Sequence, residues 1–197
     1  MKKKIAITGG IGSGKSLVLE ILRQQGFSCF SCDEIYAELV KEPSYIQTIA
    51  GIFPGVVVNG VIDKKQLGVV VFHDNTAREK LNTVAHKEIM AKLYRLMEEA
   101  NGELVFAEVP LLFEGNYENH FDEVIVVMRS KEERVSSVCT RDDLSKCEVE
   151  ARISAQFDYE NIGQKINQTK QPIHILQNKG DKEELYLATA RLVKQIM

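Results

Sequence analysis

Tryptophan is absent from this chain of 197 residues, and proline occurs only four times. So few prolines leave long stretches free to run as uninterrupted helix. Charge of either sign is nowhere in excess: 25 lysines and arginines face 28 acidic residues, a formal net charge of −3. That balance offers no general attraction to nucleic acid or to an anionic membrane, so any phosphate binding must be local. No apolar run approaches the roughly 20 residues a membrane-spanning helix needs. The lysines at the N-terminus lead directly into an apolar strand, so no cleaved signal peptide is expected and a cytoplasmic location is the default. There is no internal repeat, low-complexity tract or flexible linker. Four cysteines are present, two of them as Cys29-Phe30-Ser31-Cys32. No second such pair and no histidine pair completes a tetrahedral metal site. On a strand the two thiols face opposite sides, and all four cysteines are expected to be inert.

What is present is concentrated in Thr8-Gly9-Gly10-Ile11-Gly12-Ser13-Gly14-Lys15-Ser16. Gly9, Gly14, Lys15 and Ser16 fill the fixed places of G-x-x-x-x-G-K-[ST]. Lys4 to Thr8 reads as a buried strand, and Leu17 to Gln25 carries apolar residues at helical spacing. Strand, glycine loop and helix are the context the motif requires. Glycines let the backbone curl with its N–H groups inward as an anion nest, and the helix adds its positive end. Lys15 then reaches the β- and γ-phosphates of a nucleoside triphosphate, and the Ser16 hydroxyl sits on Mg²⁺.

The rest of the chain reads as an α/β fold around that loop. A strand over Phe27–Cys32 delivers Asp33 to the C-terminal edge of a parallel sheet, where ligands bind. Asp33 is the best-placed acceptor for a hydroxyl proton, and it also suits the cap of a helix over residues 34–41. Asn59-Gly60 between β-branched residues signals a tight hairpin, and Asp63 caps a helix running through Leu67. A long helical region follows over residues 75–100. So much helix between the second and third core strands suggests a substrate-binding insert, in which Arg78 and His86 are the residues most able to touch an anionic acceptor. The next strand, Glu103–Val109, carries Glu108, placed to hold Mg²⁺ through water. Asp122–Met128 is the fourth strand. Ser130 and Ser145 each open a helix with a glutamate three residues on. The two helices flank Arg141-Asp142-Asp143-Leu144, like the lid of a small-molecule kinase. Arg134 and Arg141 share a helix face and are the candidate lid arginines. Ile173–Leu176 is the fifth strand, and Asp181 caps the last helix.

Two other classes use a phosphate loop. Asn178-Lys179-Gly180-Asp181 fits N-K-x-D, the guanine-reading motif of a GTP-hydrolysing switch, yet no D-x-x-G occurs anywhere in the chain. A regulatory ATP-binding module would need neither Asp33 nor a lid arginine. A phosphate-handling kinase accounts for these features together, although spacing alone does not name its acceptor.

The quoted loop, Asp33-Glu34-Ile35, Val71-Phe72, Arg78 with Leu81-Asn82, His86, Pro110-Leu111-Leu112-Phe113-Glu114, Arg141-Asp142, Arg152 to Gln156 and Asn178-Lys179-Gly180 together resemble the dephospho-CoA kinase family over nearly the whole chain. The resemblance implies a three-layer P-loop kinase fold with a five-stranded parallel sheet, a helical substrate-binding insert and a helical lid. The core would span about 1–33, 102–130 and 172–197, the insert about 34–101 and the lid about 131–160. It implies transfer of the ATP γ-phosphoryl to the ribose 3′-hydroxyl of dephospho-CoA, with Mg²⁺ as cofactor. Asp33, Lys15 and Arg141 would be catalytic. ATP would be held by Gly10, Ile11, Gly12, Ser13, Gly14, Lys15, Ser16, Leu17, Arg141 and Asn178, and the acceptor by Asp33, Arg78, His86 and Leu111. Ser16 would bind the metal, with Glu108 through water. No macromolecular partner is implied, and the chain is read as a monomer or weak homo-oligomer.

Overall fold

The computed structural model describes residues 2–197. Strand β1 (Lys3–Thr8) leads through the glycine loop into α1 (Lys15–Gln24), and β2 (Ser28–Ser31) runs directly into α2 (Cys32–Leu39). Helix α3 (Pro43–Ile52), the hairpin β3 (Val57–Val58) and β4 (Val61–Ile62), α4 (Lys64–His73) and α5 (Asn75–Glu99) follow. The chain continues through β5 (Leu104–Glu108), β6 (Glu123–Met128), the helix pair α6 (Lys131–Asp142) and α7 (Lys146–Ser154), α8 (Ile162–Gln168), β7 (Ile173–Gln177) and α9 (Lys182–Ile196). These elements divide into two compact units. One comprises the chain up to Phe30 together with Glu99–Met197, and the other is Ser31–Glu98.

The first unit is built on a five-stranded sheet in the order β2-β5-β1-β6-β7. Strand β1 pairs in parallel with β5 and β6, and β6 with β7. Alternate residues Ile5, Ile7, Phe106, Ile125 and Val127 cluster with Val18 and Leu22 of α1 and Leu192 and Ile196 of α9. The intervening set Ala6, Val105, Ala107, Val124 and Val126 has no exposed surface either. Both faces of the sheet are therefore covered, which is why its central strands are apolar runs rather than alternating ones.

The second unit is mostly helical. Asn59 and Gly60 adopt φ 51° and 76°, the left-handed pair that a two-residue hairpin turn requires. Asp63 caps α4, its carboxylate accepting from the N–H groups of Lys65 and Gln66 at 2.9 and 3.1 Å. Lys92 ties α5 to α2 and to the turn after it, through Glu38 at 2.9 Å and Glu42 at 2.7 Å.

Some boundaries differ from the sequence expectation. The strand expected over Phe27–Cys32 is shorter, and Cys32 opens α2. Ser31 holds the cap position and Asp33 lies in the first helical turn. An acidic residue is favoured at either place by the positive helix end, so composition could not separate them. Helix α4 runs on to His73 instead of ending near Leu67, because nothing in Gly68–His73 stops it strongly enough. Polar residues 159–171 fold as a short 3-10 turn, Tyr159–Asn161, followed by α8. All four cysteines are thiols. Among the described residues no cluster of three or more His, Cys, Asp or Glu is placed to hold a metal, and no helix is long and apolar enough to cross a membrane.

An ionic cluster closes the edge of the sheet away from the glycine loop. Glu123 accepts from Lys3 at 2.7 Å and from His174 at 2.5 Å, joining β1, β6 and β7. Burial opposes ionisation of Glu123, but the hydrogen bonds from Lys3 and His174 outweigh it and hold its pKa below the ordinary 4.5. A depressed carboxyl pKa stabilises the fold fully above the unfolded value, and that contribution is lost as pH falls through the folded one. Glu123→Gln should lower unfolding free energy by about 1–2 kcal/mol at pH 7, with the gap to the parent closing below about pH 4. Urea titrations at both pH values measure this.

Candidate active site at the glycine loop

The C-terminal ends of β1, β5, β6 and β7 converge on the loop between Thr8 and Lys15. Gly14 caps α1 at φ 99°, ψ 19°, with no side chain bonded to the helix end. The first N–H groups of α1 thus remain directed at the space in front of the loop, as an anion site requires. Lys15 is almost buried, and its ammonium donates to the carbonyls of Gly9 at 2.9 Å and Gly10 at 3.2 Å. Ser16 donates to Glu108 at 3.0 Å. Glu108 itself lies opposite Ile7 in the sheet register and is only 4 % exposed.

The glycines are explained from outside the loop as well as from inside. A Cβ on Gly9 would run into the Val127 carbonyl, one on Gly12 would stand 2.8 Å from Val138 of α6, and one on Gly14 would overlap the Asn178 amide. The space beside Gly9, Gly12 and Gly14 is therefore already filled by the chain. Asn178 donates to the Ser13 carbonyl at 2.8 Å and accepts from Gly180 N–H at 2.9 Å. Gln156 accepts from Ile11 N–H at 2.7 Å, and Arg134 donates to the Ile11 carbonyl at 3.0 Å. Tyr159 shares a 3.0 Å hydrogen bond with Thr8 beside the ring cluster of Phe113 and Phe157. Burial pushes the Tyr159 phenol up to about 12, so it stays protonated.

Lys15, Ser16 and Glu108 are thus brought together as the motif demands. Asn178 has both ends of its amide engaged by the chain, and Asp181 accepts from Glu184 N–H at 2.7 Å as the cap of α9. The N-K-x-D string therefore supplies a loop brace, Asn178, and a helix cap, Asp181. Arg141 ends α6, with 61 % of its side chain exposed, and grips Asp142 at 2.6 and 2.8 Å. Hydrogen bonding to Asp142 raises its pKa. The two candidate lid arginines therefore differ: Arg134 is buried on the loop and Arg141 is in solvent. Leu111 is partly exposed in the turn after β5.

Within the second unit, Asp33 occupies the first turn of α2, and Arg78 and His86 lie on α5, Arg78 exposed and His86 half-buried. Burial lowers the His86 pKa. At neutral pH it is an uncharged hydrogen-bonding ring rather than a cation.

Sequence reasoning did not find the bracing roles of Gln156, Tyr159 and Asn178. Arg134 was visible only as a lid candidate. One signal was available for it: Arg134 and Val138 stand four apart on α6, so an arginine lies in line with a fully buried valine.

A strand–glycine loop–helix whose serine bonds a buried carboxylate, at the C-terminal edge of a parallel sheet in this strand order, defines a P-loop kinase. The dephospho-CoA kinase family model matches residues 3–183. The chain belongs to that family. A dephospho-CoA kinase of Thermus thermophilus is 33 % identical over 192 residues, covering 98 % of this chain and 91 % of the relative. A crystal structure from Thermus thermophilus, 33 % identical, superposes with a TM-score of 0.81 over 100 % of this chain and 98 % of the other. The dephospho-CoA kinase of Campylobacter jejuni, 27 % identical, gives a TM-score of 0.69 over 100 % and 98 %.

Asn178→Ala should remove the brace from Ser13 and leave its carbonyl unpaired. The expected result is a loss of about 1–3 kcal/mol of stability together with weaker ATP binding, read by thermal unfolding with and without ATP.

Proposed function

We propose that this protein transfers the γ-phosphoryl of ATP to the ribose 3′-hydroxyl of dephospho-CoA, giving coenzyme A and ADP, the closing step of coenzyme A synthesis. The observation that carries the reading is the braced glycine loop with Lys15, Ser16 and Glu108 in register, in a chain of the dephospho-CoA kinase family. Transfer of this kind passes through a loose transition state, so positioning and charge neutralisation do most of the work.

The loop from Gly10 to Leu17 cradles the phosphates with the N–H groups left open, those of Ile11 and Ser13 being held by Gln156 and by Gly10. Lys15 exchanges its two carbonyl partners for phosphate oxygens, a stronger charge-assisted bond. The hydroxyl of Ser16 and the carboxylate of Glu108, 3.0 Å apart, are hard oxygen donors suited to Mg²⁺. Ser16, with Glu108 through water, would hold Mg²⁺, which would supply charge neutralisation at the β- and γ-phosphates.

Asp33 orients the 3′-hydroxyl and takes its proton late in transfer. Support comes from chain order: α2 begins directly after β2, at the sheet edge where ligands of such folds bind. The unit Ser31–Glu98 serves as the acceptor-binding insert, with Arg78 and His86 toward the acceptor and Leu111 contributing from the turn after β5. Helices α6 and α7 form the lid. Arg141 releases Asp142 to meet the transferring phosphoryl, and closure excludes water that would otherwise hydrolyse ATP. Asn178 contributes to ATP binding by supporting Ser13. The reading takes the protein to be cytoplasmic and to act as a monomer or weak homo-oligomer.

Incubation with ATP, Mg²⁺ and a panel of alcohol acceptors, with mass detection, tests the assignment. Phosphorylation of dephospho-CoA above the other acceptors is expected, and preference for an unrelated alcohol would overturn it. Asp33→Asn should retain ATP binding while turnover drops by about two decades or more. Arg141→Ala should depress turnover with little change in stability, since its present partner is an exposed neighbour. Steady-state kinetics with thermal unfolding separate the two effects.

A further inference from the structure

Arg134 is the buried cation that the proposed reaction does not yet use. It is 6 % exposed. Its Nε donates to the Ile11 carbonyl at 3.0 Å, and its guanidinium lies so close over Gly10 that a Cβ there would stand 2.6 Å from Cζ. A neutral carbonyl satisfies one of the five N–H donors of an arginine and none of its charge. Among the described residues no carboxylate lies within ion-pairing distance of it. Glu160 and Tyr159 act on it from further away, and burial prevails over them, lowering its pKa.

The same glycine carries a second cation, since Lys15 donates to the Gly10 carbonyl at 3.2 Å. The positive N-terminal end of α1 begins four residues on. Three sources of positive potential therefore converge on one short loop, and a buried charge without a counter-ion is costly. An arginine needed only to hold α6 against the loop could be replaced by an apolar side chain, as its neighbour Val138 shows. The charge has a use when an anion enters the nest.

We infer that Arg134 is a positioning residue for the phosphate loop, and that its charge is a standing cost in the ligand-free protein which a polyphosphate in the cradle relieves. It acts through Gly10 and Ile11, holding the loop open and raising its potential. Arg134 thus differs in function from Arg141, which meets the phosphoryl itself. The inference rests on the triphosphate-binding part of the proposed function and not on the acceptor.

The test uses the full chain with Arg134→Met and Arg134→Lys, sodium tripolyphosphate as probe, and thermal unfolding with isothermal titration. For Arg134→Met, tripolyphosphate affinity should drop by about tenfold or more, and the ligand-free midpoint should fall less than in Asn178→Ala, because losing the uncompensated charge offsets the unpaired Ile11 carbonyl. The KM for ATP should rise with the acceptor KM unchanged. Arg134→Lys, which keeps the charge without the planar fork, should recover part of the tripolyphosphate affinity. A lowered ligand-free midpoint with tripolyphosphate affinity unchanged would make Arg134 a purely structural clamp and overturn the inference. Should the methionine variant not fold, the lysine variant decides. Affinity nearer the parent than tenfold weaker supports the role of charge, and a larger loss overturns it. Tripolyphosphate binding involves no acceptor and no transfer, so a failure of the dephospho-CoA assignment would leave this result readable.

Discussion

A phosphate nest consists of N–H groups that all point one way, and such a backbone cannot hold itself in that shape. Its carbonyls must be bonded from behind and its outer surface filled. Here Asn178 takes the Ser13 carbonyl, Arg134 the Ile11 carbonyl, and Lys15 those of Gly9 and Gly10. Gln156 engages one outward N–H, that of Ile11. The braces come from the turn after β7, from α6 and from the segment after α7, so distant parts of the chain serve one loop. The constraint also accounts for glycine at the variable places of the motif: the neighbourhood of Gly10 and Gly12 is occupied by Arg134 and Val138 before any ligand is considered.

The sheet supplies the rigidity that this bracing presumes. Strands buried on both faces hold Glu108 and Met128 at fixed height, and the Asn178 N–H bonds Met128 carbonyl at 2.8 Å. Glu123 with Lys3 and His174 secures the opposite edge. Chemistry is thereby confined to one end of the sheet and electrostatic fastening to the other. The exposed, locally paired Arg141 contrasts with the locked residues around the loop. In the proposed reaction, a group that travels to meet charge as it develops would gain from weak fastening, whereas a group that pre-orients the cradle would gain from burial.

Much of this was legible in the residues. Ser130, Ser145, Asp63 and Asp181 each cap a helix, and Asn59-Gly60 makes the hairpin turn, because caps and turns depend on side chains within a few positions. The central core strands β1, β5 and β6 follow from their apolar runs. Less legible were edges such as Cys32, where strand passes into helix without a breaker, and α4, where valines of strand-like propensity continue as helix. Of the site, Lys15, Ser16 and Glu108 were readable because motif and strand end place them. Gln156 and Tyr159 were not, since no local pattern marks a glutamine that will meet Ile11 or a tyrosine that will meet Thr8.

By itself the sequence determined the glycine loop, its lysine and serine, and the order of strands and helices that makes an α/β kinase of the dephospho-CoA kinase family, because those depend on neighbours along the chain. Only the tertiary structure decided that Arg134 lies on the loop while Arg141 pairs with its exposed neighbour, and that Asn178 braces the Ser13 carbonyl. Those assignments depend on which side chains, more than a hundred residues away, are folded against Ile11 and Ser13. Separation along the chain carries no record of that approach, whereas close packing leaves room for only one such arrangement.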